Sequence, residues 1–272
     1  MQHLEIDPPE ALRHLIKGLW YLSLDFAELP AGFEVLPDGY AEVVFHFGSP
    51  CRLSDPTAGQ RLPSPFIMGL LQQPVRLYAT GRVQVLGIQC FPWAVFEALG
   101  LPAGQDGVHF LQHPLAQLHA PLAELLRVGK VTEALAQLAA YFLTLRTPLV
   151  SGQLLRQAGA AMRGAHGTLP VRQVAAAAHA TVRTLERKFK HATGYSVKDV
   201  SGLMRFEQVR NHLLGQPDAN LAALAQEVGY ADQAHLSREF KRYSGTTPAA
   251  FARRSKQGHP GNGLDFVAFI QA

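Results

Sequence analysis

Over residues 1–110 the apolar positions come in short runs, at residues 19–24, 33–36, 40–47, 66–70, 75–79 and 83–91, rich in Val, Phe, Tyr and Ile. Such runs are strand material. They are punctuated by chain-turning residues: Pro37-Asp38-Gly39, Gly48-Ser49-Pro50, the loop around Asp55-Pro56, and Gly81. From Pro92 the period changes. Phe91, Val95, Phe96 and Leu99 fit a short helix stopped by Gly100, and residues 115–128, 131–144 and 149–162 carry apolar positions three and four apart. Residues 163–168 (Arg-Gly-Ala-His-Gly-Thr) read as a hinge, and the chain beyond reads as helical to about Arg254. A Gly/Pro-rich stretch at 257–263 then precedes an apolar tail at 266–270.

Composition changes this picture little: 47% hydrophobic and 17% charged residues are ordinary globular material, and 272 residues suit two domains. No apolar run reaches the ~18 residues of a membrane span. The first residues carry no basic stretch followed by an apolar one, and two cysteines, Cys51 and Cys90, are too few for a disulfide framework. The expectation is a reduced, cytoplasmic setting. Charge is more telling. Residues 1–150 sum to −4 and residues 151–272 to +8. A basic half beside an acidic half suggests an anion-binding module joined to something else, although a solvated basic surface is equally open on charge alone.

The basic half repeats itself. Val171, Val174 and Ala175 recur 50 residues later as Leu221, Leu224 and Ala225, and His179 falls on Gly229. After one added residue, Leu185, Arg187, Phe189, Lys190 and Gly194 recur as Leu236, Arg238, Phe240, Lys241 and Gly245. Each copy has the makings of a helix-turn-helix. A short first helix carries a small alanine at the crossing, and the turn is suited to glycine. The second helix starts near Thr181 or Asp232, both good N-caps. Its buried face holds Leu185 and Phe189, or Leu236 and Phe240, while its polar face ends in Arg and Lys, as a major-groove reader requires. Residues 196–214 read as one long helix between the copies. If it sets the reading helices about 34 Å apart, they enter successive major-groove segments on one face of a duplex.

Residues 221–248, with Gly229-Tyr230, Ser237-Arg238-Glu239-Phe240-Lys241 and Gly245-Thr246-Thr247-Pro248, resemble the DNA-binding domain of AraC-type transcription regulators. The first copy is similar through residues 184–190, 193–196 and 204–206, departing at His179, where glycine is usual, and at Ala180, where an aromatic often sits. A less regular first turn is therefore expected. The resemblance implies an α+β protein: a β-rich sensor domain over 1–110, a helical connector over 111–163 that leaves dimerisation open, an all-α domain of two helix-turn-helix units joined by a long helix over 164–254, and a tail over 255–272.

It also implies roles. Arg183, Glu186 and Arg187 would face bases from the first unit, and Gln233, Ala234, Ser237 and Arg238 from the second, with His235 alongside. The chemistry agrees in part, since Arg pairs bidentately with guanine and Gln with adenine, while Ala234 meets only a thymine methyl. Glu186 either accepts from cytosine or holds Arg183 or Lys190 in position. Lys188, Lys190, Lys241 and Arg242 suit phosphates, though Lys188 is as readily a plain surface charge. The expected partner is double-stranded DNA, with a small-molecule effector, RNA polymerase and a second copy of the chain left open; no cofactor or metal is expected.

Residues 36–47 resemble an N-terminal domain of unassigned role found on a subgroup of these regulators, and the junction at 87–92 and the terminal 267–271 fit that subgroup too. Pro37-Asp38-Gly39 reads first as a tight turn launching a strand, ahead of a binding role for Asp38. His109, His113 and His119 have a spacing that holds metal on a helix, but they lack the H-E-x-x-H glutamate and Pro114 interrupts; His46 stands without a paired histidine. An enzyme is not expected. A small-molecule enzyme on the β domain is the alternative, yet no phosphate loop, G-x-S-x-G elbow or paired carboxylates support it, and two cysteines cannot build the zinc centre of the alkyl-transfer repair proteins that also carry such units.

Overall fold

The computed structural model describes residues 2–26, 31–101, 107–145 and 152–256. The strands are β1 (Gln2–Ile6), β2 (Ile16–Asp25), β3 (Ala31–Val35), β4 (Ala41–Gly48), β5 (Arg52–Leu53), β6 (Gln60–Arg61), β7 (Phe66–Met68), β8 (Val75–Ala79), β9 (Arg82–Cys90) and, after the short helix α1 (Val95–Ala98), β10 (Val108–Phe110). Then follow α2 (His119–Arg127), α3 (Val131–Thr144), α4 (Gln153–Gly164), α5 (Val171–Ala177), α6 (Val182–Thr193), α7 (Val197–Gly215), α8 (Leu221–Glu227), α9 (Gln233–Ser244) and α10 (Pro248–Lys256). The long apolar runs thus become strands within a few residues of their expected bounds. β1, β5, β6 and β10 are short or polar and gave no such run.

All pairings are antiparallel. One sheet runs β1-β2-β9-β4-β7-β10 and the other β3-β8-β5-β6. The side-chain period of two splits each central strand between two cores. Leu19, Tyr21, Val43, Phe45, Leu86 and Ile88 face the helical side, where α1, α2 and α3 add Phe96, Leu122, Leu135, Leu138 and Phe142. Trp20, Leu22, Val44, Val83 and Val85 face the second sheet and meet Val35, Leu62 and Leu77. Burial on both faces explains why these strands read as near-continuous apolar runs rather than as alternation. Gly87 stands opposite Trp20, and a Cβ there would lie 1.9 Å from the indole, so only glycine lets that ring lie across β9.

A third core holds the helices from α4 onward, with Met162, Val174, Leu185, Phe189, Leu203, Phe206, Leu224, Leu236 and Phe240 buried. Leu36, Leu70, Phe91 and Trp93 from the β-rich part belong to this same core. The connector is therefore shared: α2 and α3 pack on the first sheet, whereas α4 packs with α5 and α6.

Candidate nucleic-acid interface

The two units are built alike. α5 and α8 end in the same closure, with His179 N–H donating to Ala176 O (3.0 Å) and Ala180 N–H to Ala175 O (2.9 Å), matched by Gly229 to Gln226 (3.2 Å) and Tyr230 to Ala225 (2.8 Å). This is the Schellman pattern, which needs a left-handed residue. Gly229 supplies φ +78°, and His179 adopts φ +49°. The first turn is thus as regular as the second, against expectation, because its backbone bonds hold a histidine in the region glycine usually fills.

α6 and α9 are both 12 residues long. Thr181 caps α6 by accepting from Thr184 N–H, Asp232 caps α9 by accepting from His235 N–H, and both helices stop at a left-handed glycine, Gly194 or Gly245. A further pair went unread in the sequence. Thr193 and Ser244 each donate to the carbonyl four residues back and accept from the N–H two residues on, stitching the helix end to the next segment. The signal was available in the hydroxyl residue before each capping glycine.

The polar faces differ in how free they are. Arg183, Arg187, Lys188 and Lys190 on α6 are exposed, as are Gln233, Ala234, Arg238 and Lys241 on α9, with Ser237 and His235 half-buried. Glu186 is half-buried, and its Oε2 accepts from Val197 N–H at 3.4 Å, at the start of α7. Arg242 is exposed but directed sideways: its Nη2 donates to Gln72 Oε1 of the β-rich part (2.9 Å) and lies 4.0 Å from Asp199.

α7 joins the units. Its 19 residues span about 28 Å at 1.5 Å rise, and it opens with a reciprocal capping box between Ser196 and Asp199. Phe206 packs on Phe240 and Tyr243 of α9 at ring-centroid distances of 5.0 and 5.4 Å. Arg205 on the same helix donates to both oxygens of Glu239 (3.0 and 3.2 Å) and to Gly167 O, while Tyr230 O–H donates to Glu239 Oε1 at 2.8 Å. The second unit is thereby tied to α7 through its own turn. Residues equivalent to Tyr230 and Glu239 in the first unit are Ala180 and Lys188, so the first unit has no such tie.

The β-rich part docks on all of this. The Trp93 ring stands 5.9 Å from Phe189 and is stacked on Phe91 at 5.3 Å, and the Arg163 guanidinium lies 4.0 Å from the Phe91 ring centroid. The Pro37-Asp38-Gly39 turn meets α7: Arg210 Nη1 donates to Pro37 O at 3.5 Å, and Gly39 lies against Met204. Asp38 accepts from Tyr40 N–H and Gln89 Nε2, which closes the turn as expected. Burial raises the Asp38 carboxyl, although Arg210 opposes the shift. Across the junction Glu207 is pushed up to about 7, first by burial and then by Asp38, with Arg210 and Lys17 pulling it down. A cavity of about 600 Å³ opens beside this contact, between Arg13, Lys17 and Tyr40 on one side and Arg163, Glu207 and Asn211 on the other.

Among the described residues no cluster of three or more His, Cys, Asp or Glu is placed to hold a metal, and no helix is long and apolar enough to cross a membrane. His113 instead accepts from Leu115 N–H and caps a 3-10 turn, and His119 stacks on Phe47 at 4.8 Å.

Two antiparallel sheets precede a body of two helix-turn-helix units, and comparison with known proteins finds the following likenesses. Residues 174–254 match the family described as a helix-turn-helix domain, and residues 4–106 match a domain of unknown function, DUF6597. The HTH-type transcriptional regulator RipA of Corynebacterium glutamicum is 34% identical over 84 residues, covering 29% of this chain. The chain spans about a quarter (25%) of that relative's length. Among solved structures, ToxT of Vibrio cholerae O395, bound to (E)-4-(8-methylnaphthalen-1-yl)but-3-enoic acid, is similar over 87% of this chain and 99% of its own, at 7% identity and TM-score 0.49. The DNA-binding domain of AdpA in complex with a target DNA is similar over 40% of this chain and 98% of its own, at 24% identity and TM-score 0.36. The chain is thus similar to a helix-turn-helix domain family over residues 174–254 and to a domain of unknown function over residues 4–106.

Proposed function

We propose that the chain is a sequence-specific DNA-binding transcription regulator of the AraC type, reading two successive major-groove segments with α6 and α9. The observation that carries this reading is the pair of equally built, 12-residue helices whose exposed faces hold Arg183, Arg187 and Lys190, and Gln233, Ala234 and Arg238. Arg183, Arg187, Gln233, Ala234, Ser237 and Arg238 are assigned to bases, and Lys188, Lys190, Lys241 and Arg242 to phosphates. For Glu186 the bond to Val197 N–H favours positioning of α7 over base contact. Selection of bound duplexes from a random pool tests the proposal. Arg238→Ala should cost about 1–3 kcal/mol and relax preference at one base pair, and Lys190→Ala should weaken all sequences alike. Binding without sequence preference in the pool would refute it.

A second reading adds an effector. The cavity of about 600 Å³ touches both bodies, and its Arg13, Lys17 and Arg163 outnumber Asp7 and Glu207, a lining that favours a small anion. Arg163 Nη1 is buried beside the cavity with no hydrogen-bond partner. Screening small organic acids against their amides for a change in Trp93 fluorescence tests it; equal response to both forms would dismiss an anion. The alternative of an enzyme on the β-rich part finds no support in this lining.

A further inference from the structure

We propose that the DNA-backbone contact surface extends from the second helix-turn-helix unit onto the β-rich body, through a basic cleft between Arg76 on β8 and Lys241, Arg242 and Arg254 on α9 and α10. The inference rests on the DNA-binding reading and adds to it a contact outside the helix-turn-helix domain. The cleft has a volume of about 760 Å³, and those four cations face a single lining carboxylate, Glu34. Glu34 sits 3.6 Å from Arg76, whose side chain remains more than half exposed. Lys241 and Arg254 are exposed, and no ion pair links either to an acid among the described residues. Arg242 is held across the cleft by Gln72 at 2.9 Å, which keeps the two walls together.

Arg76 is paired with Glu34 and Arg242 with Asp199, which leaves Lys241 and Arg254 as cleft cations without a paired acid among the described residues, and an anion lying between them would be favoured. The occupant is identified by continuity. Lys241 is three residues beyond Arg238 on α9, so the cleft begins where the base-reading face ends, and a duplex seated on that face carries its own row of phosphates past it. The assignment also explains why Arg76 sits at this edge. Its side chain is more than half exposed and lines the same cleft as Lys241 and Arg254.

The test uses the full chain and a duplex recovered by selection. The slope of log affinity against log salt should be reduced by about 0.9 for each backbone contact removed. Arg76→Gln and Arg254→Gln should each lower it by that amount, and both should weaken specific and scrambled duplexes equally. Trimming the duplex on the side bound by the second unit should weaken the parent protein and have little effect on the double variant. An unchanged slope in Arg76→Gln, with Arg238→Ala still relaxing preference at one base pair, would overturn the extension and leave the DNA-binding reading intact. Absence of any selected duplex would remove both. If inorganic phosphate protects the cleft in calorimetry while the DNA slope ignores Arg76, the cleft belongs to a small anion and the proposal fails.

Discussion

The indole of Trp93 lies directly over Gly159, so close that a Cβ on that glycine would stand 2.2 Å from Cζ2 of the ring. Trp93 precedes α1 on the β-rich body, and Gly159 is in the middle of α4 in the helical body. In a free helix Gly→Ala gains about 1 kcal/mol. Here the sign should reverse. Gly159→Ala should destabilise by about 1–3 kcal/mol through overpacking. It should also release Trp93, seen as a red-shifted emission absent from Trp93→Phe. A more stable protein with unchanged emission would mean that this contact does not hold the two bodies together.

The two turns make opposite predictions. His179 holds φ +49° with a side chain, a conformation costing roughly 1–2 kcal/mol for a non-glycine residue. His179→Gly should raise stability by about 1 kcal/mol, since freedom gained by the unfolded chain cancels part of the relief. Gly229→Ala, at φ +78° and with Thr168 3.1 Å from the added carbon, should lower it by a similar amount or more. Denaturant midpoints of the two variants, compared at equal slope, decide the matter.

Glu239 is largely buried between Arg205 and Tyr230, at 16% side-chain exposure. Its replacement by Ala strands both partners and should cost about 2 kcal/mol. The loss should fall on the second unit, where the network lies. Footprints of the variant should therefore lose protection over the half-site bound by α9 before that bound by α6.

Acidity should tighten the junction of the bodies. Glu207 has a folded pKa of about 7 against an ordinary 4.5, so the docked state holds its proton where the free carboxyl has lost it. For a carboxyl raised in this way, stability is greatest below 4.5 and falls as pH rises through about 7. The groups facing it are Asp38, Arg210 and Lys17, and Asp38 is itself raised and adds the same sign. Thermal unfolding should occur at a lower temperature at pH 8 than at pH 5.5, and Glu207→Gln should shrink that difference. A difference of the same size in the variant would reassign the effect to another group.

The helix-turn-helix units were legible in the sequence because capping is local: Thr181, Asp232, Gly194 and Gly245 announce helix ends without any tertiary partner. The central strands were legible because two-sided burial writes long apolar runs. Strands such as β5 and β6, two residues each, exist only through their neighbours and left no mark. The docking of the two bodies was equally silent. Pro37-Asp38-Gly39 read as a turn, which it is, but nothing local says that Arg210, 173 residues away, donates to its first carbonyl. The same holds for Arg242: nothing local says that Gln72, 170 residues away, accepts from it. For division of the connector, the burial of α4 with α5 and α6 supports assigning it to the helical body.

That turn rests on α7, the element common to both reading helices, rather than on either helix alone. The β-rich body also meets α6 at Phe189 and α9 at Arg242, so a shift of that body would act on the distance and angle between the two helices together. The chemistry on each face stays as it was. Regulation through this contact would sort operators by the spacing of their half-sites while leaving the preferred bases within each half-site unchanged.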